Sequence, residues 1–230
     1  MQVPLNMVYL VATIPLVLIW IILFSLRKDL RQEMFIMSTL ICIFGVGTLY
    51  YWFTIDWWRP PVIIGVRIGI EDFIMSFTTG GIMAVIYEVL FKQIYYKRKL
   101  RHHVVGAFTI LLLLAQATTW LFWGVGLTSF WASTFAMGVI SLVMLFFRRD
   151  LFFNALGSGF MMLIASLPFY YTIILISPEW INKTYLPTLS GVRITGIPIE
   201  ELVFWFLAGF LWGPFYEYWK GERLRKILNK

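Results

Sequence analysis

Apolar residues run through this chain in long blocks, not in the short alternations of a soluble domain. Seven blocks approach or exceed the roughly 20 residues that a helix needs to cross a bilayer. They lie at about 7–26, 34–54, 70–91, 104–124, 128–147, 154–177 and 199–219. The pattern predicts an all-α integral membrane protein with seven transmembrane helices. Gly80-Gly81 in the third span and Gly209 in the seventh suit close helix packing, and Pro214 predicts a kink in the seventh. The connections at about 55–69 and 178–198 are long and rich in Trp, Pro and Gly. Trp57, Trp58 and Trp180 there suit anchoring at the lipid interface.

Composition agrees with the pattern. The 230 residues are 60% hydrophobic and only 13% charged, where a soluble domain carries roughly 25%. A net charge of +7 raises nucleic acid as a partner, but the placement of the charge excludes it. Arg27, Lys28 and Arg31 follow the first span, Lys97, Arg98, Lys99 and Arg101 the third, and Arg148 and Arg149 the fifth. Lys220, Arg223, Arg225, Lys226 and Lys230 follow the seventh, whereas the opposite side has only Arg59, Arg67, Lys183 and Arg193. The positive-inside rule then puts the N-terminus outside and the C-terminus in the cytoplasm. The first apolar run lacks a basic start and a clear cleavage site, so it reads as a retained span. One cysteine, Cys42, leaves no intrachain disulfide and no multi-Cys metal site.

A repeat runs through the spans. Gly65-Val-Arg-Ile-Gly-Ile-Glu-Asp-Phe-Ile-Met-Ser-Phe77 is echoed by Gly191-Val-Arg-Ile-Thr-Gly-Ile-Pro-Ile-Glu-Glu-Leu-Val-Phe-Trp-Phe206. Glu71-Asp72 becomes Glu200-Glu201 and Tyr87-Glu88 becomes Tyr216-Glu217, both 129 residues later. Arg27-Lys-Asp-Leu30 likewise matches Arg148-Arg-Asp-Leu151, and Tyr50-Tyr51 matches Tyr170-Tyr171. The expected organisation is a three-helix repeat at 1–100, a connector helix at 101–127 and a second three-helix repeat at 128–230. An odd connector makes the copies parallel, related by an axis along the membrane normal.

The chemistry lies in the acids. Of twelve, six (Glu71, Asp72, Glu88, Glu200, Glu201 and Glu217) fall in spans three and seven. Ionisable groups in spans are costly and are functional candidates. Neighbours on a helix diverge by about 100°, so one acid of each pair can face the bundle centre while the other meets a partner such as Arg67 or Arg193. The bland alternative is that acids in a first helical turn merely answer the helix dipole, with Pro198 at the first helical position. Glu88 and Glu217 lie roughly 24 Å further along their helices, where Lys92 and Lys220 are within ion-pair reach. A structural role is expected for them, and His102-His103 reads as a solvated basic face. No metal-ligand spacing, nucleophile elbow, phosphate loop or dinucleotide fingerprint occurs. Phe73 and Phe77 follow the first outer pair, and Phe204, Trp205 and Phe206 the second. A carboxyl in a low-dielectric site can stay protonated and act as an acid, and aromatic faces stabilise a cation. That combination suits protonation of an alkene in a lipid-soluble substrate.

Pro198-Ile-Glu-Glu-Leu-Val-Phe204-Trp-Phe206 resembles the Pro-x-Glu-Glu/Asp…Phe motif of membrane-integral lycopene cyclases. That family's unit is a three-span domain present twice, so the likeness covers nearly the whole chain. It implies redox-neutral cyclisation of lycopene ends to β-ionone rings. Glu200 and Glu201, with Glu71 and Asp72 of the first copy, are then the catalytic acids. Phe204, Trp205, Phe206, Phe73, Phe77, Arg67 and Arg193 are the substrate-binding candidates. Neither an organic cofactor nor a metal is expected. The expected partners are the lipid bilayer and a lipophilic carotenoid, with a second copy of the chain or other carotenoid enzymes left open. A multi-pass protein of a prokaryotic plasma membrane is implied. The first copy departs from the motif: Gly69 stands near the place of Pro198, and Met75-Ser76 replace Phe204-Trp205. Two other readings remain at this stage, a small transporter with parallel three-span repeats and a cyclase acting on a C50 carotenoid. A retinal-binding protein is excluded, because span seven has no buried lysine for a Schiff base.

Overall fold

The computed structural model describes residues 3–66, 68–96, 104–185, 190–221 and 223–226. Arg67, Lys97, Arg98, Lys99, Arg101, His102, His103, Glu222 and Lys230 lie outside the described residues. Helices α1 (Leu5–Leu26), α2 (Arg31–Thr48), α3 (Ile70–Leu90), α4 (Val104–Thr119), α5 (Ser129–Phe147), α6 (Phe152–Ile176), α7 (Ile199–Trp212) and α8 (Phe215–Lys220) carry the fold. Among the described residues, six segments are long and apolar enough to cross a membrane: Leu5–Leu26, Lys28–Asp56, Ile70–Leu90, Val104–Gly124, Ser129–Phe147 and Arg149–Ile176. The protein is a helical membrane protein.

The seventh predicted stretch is two helices, α7 and α8, interrupted at Gly213 and Pro214. Proline has no N–H to offer the helix ladder, which breaks there. Helices α2 and α4 each continue through a wider π-helical turn, Leu49–Phe53 and Trp120–Gly124. Among the described residues, two short antiparallel ladders interrupt the all-helical expectation. Strand β1 (Gln93–Tyr96), after α3, pairs with β4 (Arg223–Lys226), after α8. Strands β2 (Arg193–Ile194) and β3 (Ile197–Pro198) form a hairpin just before α7. Thr195 and Gly196 turn it with φ of +52° and +90°.

Matching contacts recur in the two halves. Arg27 pairs with Asp29 and donates to the carbonyl of Glu88 at 3.1 Å. Arg148 pairs with Asp150 and donates to the carbonyl of Glu217 at 3.2 Å. These arginines therefore clamp the far ends of α3 and α8, where terminal carbonyls lack helical partners. The predicted close approach at glycine is also present. A β-carbon on Gly80 would stand 2.6 Å from Ile41 of α2, and one on Gly209 would stand 2.5 Å from the Ser158 carbonyl of α6.

Helix α3 packs on α1 and α2, as α7 packs on α5 and α6. The remaining contacts are unequal. Helix α6 lies against both α1 and α3, whereas α2 makes no comparable contact with α5 or α7. A half-open cavity occupies that gap, and α4 contributes Leu114 and Thr118 to its wall.

Gly209→Val should overpack the α6–α7 interface and cost about 1–3 kcal/mol. Its thermal aggregation midpoint in detergent should fall below that of the wild type. Gly47→Ala, at a site with no atom within 4 Å of the added carbon, should leave the midpoint unchanged. Equal midpoints for all three proteins would refute the packing role of Gly209.

Candidate active site

The pairs Glu71-Asp72 and Glu200-Glu201 both sit in the first turn of a helix, and local chemistry explains why each helix starts there. Gly69 is extended, and the Asp72 carboxylate reaches back to accept its N–H at 2.8 Å. This closes the first turn of α3 in the manner of a capping box. At α7 the extended residue before the helix is Pro198, one position earlier than the first helical position expected for it. Its fixed φ of −57° leads the hairpin directly into the helix.

Within each pair the two acids diverge, as their 100° separation demands. The first acid ties down the preceding loop. Glu71 accepts the N–H of Ile63 at 2.9 Å, and Glu200 accepts the N–H of Ser190 at 2.7 Å. The second acid points into the bundle and meets a tyrosine. Asp72 accepts from the Tyr9 hydroxyl at 3.0 Å. Glu201 Oε2 accepts from the Tyr170 hydroxyl, which itself accepts the indole N–H of Trp205 at 2.8 Å. Trp57 and Tyr185 stand beside Glu201 outside strict hydrogen-bond geometry. Burial pushes the Tyr185 hydroxyl well above its ordinary pKa, so the phenol beside this acid keeps its proton.

The cavity has a volume of about 130 Å³ and is mostly apolar. Among the described residues, Glu201 is the one carboxylic residue that lines it. Among the described residues, its Oε1 is buried without a hydrogen-bond partner. Phe204 and Trp205 line the cavity with it, together with Phe53 and Trp57. The Phe204 ring lies 5.0 Å from Trp57 and 5.7 Å from Phe53, edge to face in both cases. Phe206 turns away to pack on Phe160 of α6, Phe73 is 47% exposed, and Phe77 packs on Trp20. Arg193 is exposed and bonds Asn182, so it is not brought to the acids.

Asp72 occupies the matching place in the first half, but the space in front of it is filled. Tyr9, Trp58, Phe169 and Trp180 form one aromatic cluster there, with ring centroids 5.5 to 6.1 Å from Tyr9. The tryptophans expected at the lipid interface are therefore inside: Trp57, Trp58 and Trp180 are 2%, 6% and 0% exposed. The cause is pairing of the two long connections. The Arg59 N–H donates to the Thr184 carbonyl at 3.0 Å, and Trp58 forms a β-bridge with Tyr185. This folds the indoles over the helix ends and into the core.

At the opposite end, Glu88 and Glu217 do not pair with Lys92 and Lys220. Both are fully buried, and the side-chain amide of Asn154 donates to Oε1 of each at 2.9 Å. Ser158 in turn donates to Asn154 Oδ1 at 2.9 Å. Each glutamate faces the neighbouring helices, not the end of its own helix where the lysine sits. Glu33 is also buried and interacts electrostatically with Glu217.

Sequence reasoning missed Tyr9, Phe53, Tyr170 and Asn154. A signal existed for two of them. Tyr170 belongs to the repeated Tyr-Tyr pair, and Asn154 follows Arg148 at the spacing at which Glu33 follows Arg27. Among the described residues, no group of three or more His, Cys, Asp or Glu could hold a metal ion.

Asn154→Leu should strand two buried carboxyl groups and cost on the order of 1–3 kcal/mol for each. Lys92→Gln should change nothing measurable. Denaturation in detergent checks both, and a Lys92→Gln loss as large as that of Asn154→Leu would restore the surface ion-pair reading.

The family model described as lycopene cyclase matches residues 6–90 and 127–219, more than three quarters of the chain in two segments. No curated protein and no solved structure matches the chain significantly.

Proposed function

The chain belongs to the lycopene cyclase family, and from that premise we propose that it closes the linear ends of lycopene into β-ionone rings, with Glu201 as the proton donor. The observation that carries the reading is the isolation of Glu201: it is the one acid on the wall of an apolar, aromatic cavity. Its Oε2 is held by Tyr170, and its Oε1 is left to deliver a proton. A carotenoid end enters the cavity from the bilayer. Glu201 protonates C2 of the end group, leaving a cation at C1. The C5=C6 bond attacks C1, moving the cation to C5, and loss of the C6 proton gives the β ring. The reaction is an isomerisation with no redox change and draws on no cofactor.

The faces of Phe204, Trp57 and Phe53 offer stabilisation to the migrating cation, worth about 2 kcal/mol or more for a desolvated cation–π contact. Glu200 and Glu71 set the outer loops and contribute through positioning. The arrangement we propose in the membrane has seven spans, with α7 and α8 together forming the seventh. Two parallel three-helix units, 1–100 and 128–230, are joined by the connector 101–127. The N-terminus is outside and the C-terminus in the cytoplasm of a prokaryotic plasma membrane.

Expression in lycopene-accumulating cells should convert the pigment to β-carotene, or to γ-carotene if one end is closed. Glu201→Gln should lower ring formation by 10²-fold or more, the lower part of the range for losing a general acid, about 10²–10⁴-fold. Glu200→Gln should retain part of the activity at equal protein level. Chromatography of the pigments with an immunoblot decides the matter: full activity of Glu201→Gln would remove this acid from the mechanism.

A further inference from the structure

The cyclisation needs a base as well as an acid, and the cavity wall offers a second group tied to a carboxylate. Tyr9 of α1 lines the cavity. Its hydroxyl donates to Asp72 Oδ1 at 3.0 Å and approaches the Met75 sulfur at 3.0 Å. Asp72 is not on the cavity wall. Its other oxygen is fixed by the Gly69 N–H at 2.8 Å, so it reaches the cavity through Tyr9. The other lining hydroxyls are arranged differently. Thr48, Thr79 and Ser133 donate to carbonyls of their own helices. Ser76 and Thr118 have no carboxylate behind them among the hydrogen bonds of the described residues. Glu201 on α7 and Tyr9 on α1 are thus the two proton-handling poles of the cavity.

Resting on the cyclase reading, we propose that Tyr9 is a catalytic residue that accepts the C6 proton, with Asp72 as the positioning residue that takes the Tyr9 proton in turn. The balance closes without an added reactant. The Glu201 proton goes to C2, and the C5=C6 electron pair forms the C1–C6 bond. The C6–H proton then moves to the Tyr9 oxygen while the Tyr9 proton moves to Asp72 Oδ1. The C6–H electrons re-form the C5=C6 bond. Each turnover transfers one proton from Glu201 to Asp72. The site is reset when Asp72 gives up that proton and Glu201 regains one; both acids lie in first helical turns beside the long connections. The aromatic cluster of Trp58, Phe169 and Trp180 around the Tyr9 ring holds its hydroxyl at one point of the wall, so one proton of the C5 cation is selected. Loss from C6 gives a β ring, loss from C4 an ε ring, and loss from the C5 methyl a γ ring.

The test expresses wild type, Tyr9→Phe, Asp72→Asn and Glu201→Gln in lycopene-accumulating cells. Membrane protein is quantified by immunoblot and ring type by chromatography and mass spectrometry. Tyr9→Phe should lower ring formation at least about tenfold, short of the full loss of a general acid or base. Its residual product should shift from β toward ε or γ rings, which general loosening of the fold would not produce. Asp72→Asn should show the same shift, and it carries the test if Tyr9→Phe fails to accumulate. Glu201→Gln should lower yield without changing ring type. Wild-type yield and pure β rings from both Tyr9→Phe and Asp72→Asn would overturn the assignment and return both proton transfers to Glu201. Lycopene left unchanged by the wild type would overturn the cyclase reading itself, and this assignment with it.

Discussion

A carboxyl group inside a helical membrane protein has no water to solvate it, so it must find a donor among its neighbours or be neutral. That constraint organises this molecule. Six acids lie in the last helices of the two halves, and each has a protein donor on at least one oxygen. Glu71 and Glu200 take backbone N–H groups from the loops that precede their helices. Asp72 and Glu201 take tyrosine hydroxyls. Glu88 and Glu217 share one asparagine. The loops, the helix starts and the packing of α6 against α3, α7 and α8 all meet at these bonds. The polar groups therefore specify how the helices are arranged, a task that apolar surfaces in lipid perform poorly because lipid tails are equally apolar.

The same constraint explains the difference between the halves. Matching arginines clamp matching carbonyls at one end, and matching acids hold matching loops at the other. Between these fixed points, the contact of α6 with α1 and α3 has no equivalent for α2 with α5 and α7. One side is filled by Tyr9, Trp58, Phe169 and Trp180, and the other remains a cavity with Glu201 on its wall. Tyr9 belongs to both sides, as part of the aromatic filling and part of the cavity wall. The cavity thus draws on both ends of the chain, with Glu201 from α7 on its wall and Tyr9 of α1, hydrogen-bonded to Asp72, beside it.

Much of this was legible in the residues. The apolar blocks announce the membrane helices, because a bilayer sets a minimum length that composition alone reveals. Gly80 and Gly209 mark two close helix contacts, and Pro214 marks the break between α7 and α8. The recurrence of paired acids singles out the first turns of α3 and α7, and the Pro198–Phe206 stretch carries the family likeness. The two β-ladders were not legible. They join segments distant in the chain, or only two residues long, and no periodicity survives at that length.

What the sequence by itself determined is the helical membrane fold, the recurrence of matching residues and the set of acids, since each depends on residue type and local spacing. Where each acid points was decided by the tertiary structure. Two adjacent glutamates are alike in sequence, yet 100° of helix rotation sends Glu200 to a loop amide and Glu201 to a cavity. Trp57 was equally ambiguous, because an indole suits a lipid interface and a buried pocket alike, and only the pairing of Arg59 with Thr184 turns the segment inward. Asn154 looked like one polar residue in an apolar span. It becomes the shared donor of two carboxyls only because helices far apart in the chain converge on it.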